Sequence, residues 1–206
     1  MKKITTTLTM LLLVVAAQAQ FGMGTVPAAS KLKILSGDPS ELKGKTFNVE
    51  FIYDGMAVGK FDNENDYIAK KRSEYNEKEP GRGDKWANAW KADRKDRFEP
   101  SFIGKFNELG EKTGTSVTQN GKASMKLVIT TTSTEPGFNV GVMKEPARVY
   151  AICDFQDANG KSVVKVQADK VPGQTMGYGD FDTGVRISEC YEKLGKDLYK
   201  TIAKKF

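Results

Sequence analysis

RVYAICDFQDANGKSVVKVQAD, residues 148–169, is a stretch in which turn chemistry and side-chain alternation prescribe the same hairpin. Asn159-Gly160 suits a two-residue type I′ turn, because both central positions of that turn need φ > 0 and these residues tolerate it. With the turn placed there, Ala158 faces Lys161, Phe155 faces Val164, Cys153 faces Val166 and Ala151 faces Ala168. Phe155, Cys153, Ala151 and their partners form one apolar row. The other face pairs Asp154 with Lys165 and Ile152 with Gln167, which adds an opposite-charge pair to the same register.

Beyond the hairpin, the Gly-rich loop VPGQTMGYGDFDT at 171–183 leads into a helix predicted over 183–205, apolar at Ile187, Cys190, Tyr191, Leu194, Leu198 and Ile202. Before it, a short strand is predicted over 138–143, and residues 123–132 alternate with Met125, Leu127 and Ile129 on one side. The pattern over 62–112 is helical with two breaks. A first segment, about 64–78, ends at Pro80-Gly81-Arg82-Gly83; Asp84 caps a second that carries Trp86 and Trp90; Glu99-Pro100 opens a third with Phe102, Ile103, Phe106 and Leu109. Residues 46–53 alternate cleanly, with Phe47, Val49, Phe51 and Tyr53 on one face. Upstream, 31–35 reads as an edge strand and Asp38-Pro39 opens a short helical turn.

These elements predict a single α+β domain over 46–206, a two-layer sandwich whose mixed, mostly antiparallel sheet carries its helices mainly on one face. The helical connection between 46–53 and 123–132 is long enough for a crossover, so those two strands are candidates for parallel pairing. Residues 20–45 form a mobile lead-in and edge segment on this reading.

Lys2 and Lys3, an apolar run over 8–17 and then Ala17-Gln18-Ala19 match a cleaved export signal, with cleavage expected after Ala19. The run falls short of the roughly 18 apolar residues a membrane span requires. No cysteine follows it to take a lipid. The expected product is periplasmic or secreted and not lipid-anchored, with no transmembrane segment.

The 206 residues carry a formal charge of +6, of which the two signal lysines supply part, and no basic stripe interleaves with aromatics. Nucleic acid is therefore not an expected partner. Histidine is absent and cysteine occurs only at 153 and 190, so neither a zinc site nor a Cys-His nucleophile can be built. No cofactor, metal or catalytic residue is predicted.

Five candidate sites remain. Cys153 and Cys190 lie on the apolar faces of the hairpin and the last helix, where a disulfide and two separate buried thiols are both open readings. Tyr178, Asp180, Phe181 and Asp182 in the Gly-rich loop form a candidate binding site, flexible glycines presenting two aromatics; the alternative is that both rings cover the core. Trp86 and Trp90 could line a groove, but a pair at i and i+4 is more often core. The acids of 62–66 and 180–182 could ligate calcium but complete no EF-hand, and helix capping explains them; Arg82-Gly83-Asp84 matches an adhesion tripeptide that loop and cap roles also explain.

The order of elements, with GFNVGV at 137–142 and DFDTGVRISECYEKLGKDL at 180–198, resembles uncharacterised secreted proteins of Gram-negative envelopes. On architecture alone it is similar to the small periplasmic α/β domains of outer-membrane assembly factors, such as the penicillin-binding-protein activator lipoproteins and the amino-terminal domain of the Tol-system β-propeller protein. The first resemblance brings no known activity, and the leading expectation is a non-enzymatic periplasmic interaction domain that binds a protein or envelope polymer through the Gly-rich loop and the nearby sheet edge. Two rivals stand beside it. A glycan hydrolase would use Asp180 and Asp182, although neighbours two apart on an extended segment are not set up to face each other across a substrate. A small-ligand carrier would show an enclosed apolar cavity.

Overall fold

The computed structural model describes residues 30–119, 121–140, 143–173 and 182–206. Its main sheet has the order β1-β9-β8-β5-β2-β4, from β1 (Lys31–Ser36), β2 (Thr46–Ile52), β4 (Ser116–Thr118), β5 (Met125–Glu135), β8 (Arg148–Gln156) and β9 (Ser162–Pro172), with the short β3 (Ala57–Val58) also paired to β5. Pairing is antiparallel from β1 to β5. It is parallel where β2 meets β5 and β4, because the helical connection crosses over as its length allows.

The hairpin register is the one the sequence prescribes: Ala151 pairs with Ala168, Cys153 with Val166, Phe155 with Val164 and Asp154 with Lys165. The turn is a different one. Gly160 has φ +79° but Asn159 does not enter the positive region, and Gly160 N–H donates to Asp157 O at 3.0 Å. Asp157 Oδ1 accepts from the N–H groups of Asn159 and Lys161, both at 2.9 Å. This side-chain turn closes a three-residue loop, and a register shift beyond Phe155 restores the two-residue pairing.

The row Ala151, Cys153, Phe155, Val164, Val166 and Ala168 is buried on one face and covered by α4 (Thr183–Ala203), with α3 (Glu99–Gly110) packed beside α4 and over β4, while Ile152 points to the other face. Ile187, Cys190, Tyr191, Leu194, Leu198 and Ile202 of α4 are buried as their spacing requires. The opposite sheet face is polar, with ion pairs Glu50–Lys126 at 3.2 Å and Asp154–Lys165 at 3.8 Å. The lead-in joins the domain from Lys31 onward: β1 pairs with β9, and the 3-10 turn Pro39–Leu42 puts Leu42 in the core.

α1 (Glu64–Lys78) and α2 (Arg82–Asp93) pack together beside the sheet. Asn63 caps α1, its Oδ1 accepting from Asp66 N–H at 2.9 Å. Gly81, with φ +81°, takes the N-cap position of α2, so Asp84 is not the cap but a first-turn residue paired with Arg72. A π-helical turn, Arg94–Phe98, joins α2 to α3 without a break.

Candidate interaction site

β5 stops where its sequence cannot continue a ladder. Pro136 has no N–H, and Gly137 sits at φ +62° with its α-carbon so close to the returning chain that a Cβ would lie 2.3 Å from Glu145 O. The chain swings out of the main sheet there. It forms a separate ribbon in which β6 (Phe138–Asn139) pairs with β7 (Lys144–Glu145), and Val140 N–H donates to Met143 O at 3.0 Å. The strand expected over 138–143 is therefore this excursion, not a member of the main sheet.

The ribbon presents apolar side chains to solvent. Phe138, Val140 and Met143 are 41%, 62% and 60% exposed, and they are three of the five exposed large hydrophobics among the described residues, with Leu35 and Ile52 the others. Scattered exposed apolar residues are ordinary, whereas here three of them fall on one short ribbon. The base of the ribbon is fixed. Arg186 of α4, only 4% exposed, donates from Nε to Pro136 O at 3.2 Å and from Nη2 to Gly137 O at 3.4 Å and Thr183 Oγ1 at 3.0 Å.

Beside the ribbon lies an open cleft of about 430 Å³, walled by Phe61, Tyr67, Pro136, Phe138 and Pro146. Its rim carries both signs: Lys60, Lys71 and Arg148 with Glu135 and Glu145. Arg148 pairs with Glu145 at 3.3 Å.

Of the predicted binding residues, Tyr178, Asp180 and Phe181 lie outside the described residues. Asp182 is described, and it serves α4 as N-cap, accepting from Gly184 N–H at 2.7 Å and Val185 N–H at 3.4 Å and pairing with Arg97 at 3.0 Å. Burial pushes its carboxyl up, but the Arg97 hydrogen bond and the two amides outweigh this and hold it below the usual range. Asp93, on the other side of Arg97, is pushed up by burial.

A depressed carboxyl stabilises the fold above its unfolded pKa, near 4, and that contribution is lost as pH falls through the lower folded value. Asp93 has the opposite sign and softens the loss. Asp182→Asn keeps an oxygen to cap the helix but removes the charge, so acid titration of the thermal midpoint should fall less steeply below about pH 4 than in the parent. An unchanged acid limb would show that the Arg97 pair contributes nothing there.

The two cysteines are not bonded; both are free and buried. They share the apolar layer as their faces predict, but at different heights. Cys190 Sγ lies against Gly173, whose N–H bonds to Ala147 O at 3.0 Å. Cys153 stands six positions further along β8, roughly 20 Å at the rise of a strand, where a disulfide needs Cα atoms roughly 5 to 7 Å apart. Burial pushes the Cys153 thiol up to about 12 and raises Cys190 as well. Neither should react with iodoacetamide in folded protein at neutral pH, and two thiols should appear on unfolding without reductant. Rapid labelling of the native protein would refute this placement.

Trp90 is buried and Trp86 packs partly buried against the core: both belong to an aromatic cluster with Tyr67 and Tyr75, and Trp90 Nε1 donates to Glu64 at 2.7 Å. Arg82-Gly83-Asp84 is consumed by the α1–α2 contact, Arg82 over the Tyr75 ring and Gly83 buried against the Arg72 backbone. Under the π turn, Tyr53, Tyr191, Arg94 and Glu64 enclose a cavity of about 10 Å³, the size of one water and too small for a substrate. Glu99, 1% exposed, spends one oxygen on Lys95 at 2.8 Å and Gln119 at 2.5 Å.

No family model matches the chain, and no curated protein does. Among solved structures it is similar to the PelC dodecamer from Paraburkholderia phytofirmans, with a TM-score of 0.33 and 13% identity over 81% of this chain and 97% of that one. A single-residue variant of the same PelC dodecamer matches with a TM-score of 0.32 and 13% identity, over 81% and 98%. What the described residues establish is the class, an α+β domain with a mixed sheet. Among those residues no helix is long and apolar enough to cross a membrane.

Proposed function

We propose that the protein is an exported, non-enzymatic interaction domain of the cell envelope, periplasmic or secreted, which binds a protein or envelope polymer through the β6–β7 ribbon and the cleft beside it. The observation that carries this reading is the cluster of exposed Phe138, Val140 and Met143 on a ribbon whose base is held by the buried Arg186. Apolar side chains on a ribbon whose base is held by hydrogen bonds lose less conformational freedom on binding than those of an unsupported loop, which favours a small contact. The amino-terminal signal pattern and the resemblance to secreted envelope proteins agree with the compartment.

The hydrolase alternative has less support. Asp182, one of its two candidate acids, is occupied as a helix cap and an ion-pair partner of Arg97. The test is a photocrosslinking amino acid at position 140 in the exporting cell, with position 35, also apolar and exposed but on β1, as control. Adducts to a macromolecule should form at 140 and not at 35. Equal yields at the two positions would end the assignment of the ribbon.

A further inference from the structure

We infer that one end of the domain binds a linear acidic glycan, through lysines on three chain segments that a hydrogen-bond network holds together. The site goes beyond the ribbon and its cleft and uses neither.

The network is built on hydroxyls. Thr115, fully buried, accepts at Oγ1 from Gly44 N–H at 2.9 Å and from Thr113 Oγ1 at 3.1 Å. Thr113 Oγ1 also lies 3.0 Å from the Tyr199 hydroxyl, and Ser116 N–H donates to Lys45 O at 3.0 Å. The loop 43–45, the 3-10 turn Glu111–Thr113 and the end of α4 are thereby fixed to one another. Each turns lysine outward: Lys43 and Lys45, Lys112, and Lys200 with Lys204 one turn on, all five exposed. Among the described residues none of the five has an acid within ion-pair distance. Cations nearer the middle of α3 and α4 do have one: Lys105 meets Glu108 at 2.6 Å and Glu192 at 3.4 Å, and Lys193 meets Asp197 at 2.7 Å.

Two exposed glutamates, Glu41 and Glu111, share this end, and Asp38 has Lys205 to oppose it. The formal +6 of the chain falls to +4 without Lys2 and Lys3, and five lysines against two glutamates place three of those four charges here. The α4 macrodipole accounts for Lys200 and Lys204, but Lys43, Lys45 and Lys112 stand outside that helix. A fixed surplus of one sign attracts a chain of the other.

The glutamates select among anionic partners. A flat anionic bilayer would bring every group at this end to one surface, Glu41 and Glu111 included, whereas a flexible chain can follow the lysines and pass the acids. Tyr199 is buried and Phe206 packs against it edge-on, so among the described residues this end has no row of rings for nucleic-acid bases to stack on.

The test is isothermal titration of the purified protein with alginate, a linear polyuronate, over a series of sodium chloride concentrations, with dextran as the neutral control. The parent should bind alginate at low salt, lose it as salt rises and ignore dextran. Lys112→Gln, Lys200→Gln and Lys204→Gln combined should weaken binding ~10-fold, as expected for three exposed ionic contacts. Lys78→Gln, Lys85→Gln and Lys91→Gln combined remove as much charge from exposed positions on α1 and α2 and should leave binding unchanged. Lys45→Glu, away from the helix, should weaken it as well. Unaltered thermal midpoints would show that the variants fold.

A parent that ignores alginate at low salt overturns the inference, and so does an equal loss from the two triple variants, which would reduce the effect to net charge. Protein that floats with phosphatidylglycerol vesicles through these lysines without binding alginate would assign the end to lipid and also overturn it. Adducts at position 140 report on the ribbon alone, so failure here is separable from failure of the interaction site.

Discussion

Arg186→Met is expected to lower the unfolding free energy by about 3 kcal/mol and to loosen the β6–β7 ribbon before the rest of the fold. Methionine reaches as far as arginine's stem but donates nothing, so the carbonyls of Pro136 and Gly137 lose the donors they have at 3.2 and 3.4 Å. Hydrogen bonds from a charged donor contribute about 1.5 to 3 kcal/mol each, and the cost of keeping a guanidinium 4% exposed offsets part of their sum. The denaturant midpoint reads the global change. Amide exchange at Val140, whose N–H bonds to Met143 O, reads the local one. A loss below about 1 kcal/mol with slow exchange at Val140 would mean that the ribbon holds its position without Arg186.

Two glycines in the paired helices should respond to alanine with opposite signs. Helix propensity alone favours alanine over glycine by about 1 kcal/mol at each. At Gly104 of α3 nothing lies within 4 Å of the new methyl group, so Gly104→Ala should stabilise by up to that amount. At Gly195 of α4 the methyl would sit 2.6 Å from Phe102 O and 3.3 Å from Phe106 N, both backbone atoms that cannot turn aside. α3 and α4 would have to separate over Phe102 and Leu194, both fully buried. Overpacking of that kind costs about 1 to 3 kcal/mol or more, so Gly195→Ala should destabilise by about 2 kcal/mol net. Equal responses from the two variants would show that the close crossing relaxes freely.

The hairpin was legible because its information is redundant: an apolar row, a charge pair and a turn all require the same register. Its turn was misread because Asn159-Gly160 dominates the local pattern, while the residue that builds the loop is Asp157, through its carboxylate. The closing helix was legible for the reason that its six apolar positions, from Ile187 to Ile202, repeat over about four turns. The ribbon was not. Period-two alternation over 138–143 says that the chain is extended but not which sheet it joins, and the available signal was Pro136-Gly137, which breaks the ladder.

The cysteines divide in the same way: alternation gives the face, and only the packed structure gives the height along the strand. The π turn Arg94–Phe98 adds its extra residue inside RKDRF, with neither glycine nor proline to announce it. Candidate binding residues were sought in the Gly-rich loop, where aromatics and glycines coincide, and Tyr178, Asp180 and Phe181 lie outside the described residues; the exposed apolar cluster of the described ones lies in a segment that looked like ordinary strand.

The cover of the sheet has a temporal side. α4 packs on β1, β8, β9 and α3 together, so it touches almost every part of the core. Among the described residues every strand precedes Thr183, so until α4 is made the row from Ala151 to Phe155 and its neighbours on β9 lacks the helix that covers it. A nascent chain in that condition cannot complete its core. Placing the central covering helix after every strand of the described residues thus leaves the apolar row bare until the end of synthesis, and exposed apolar surface of that kind is prone to aggregation.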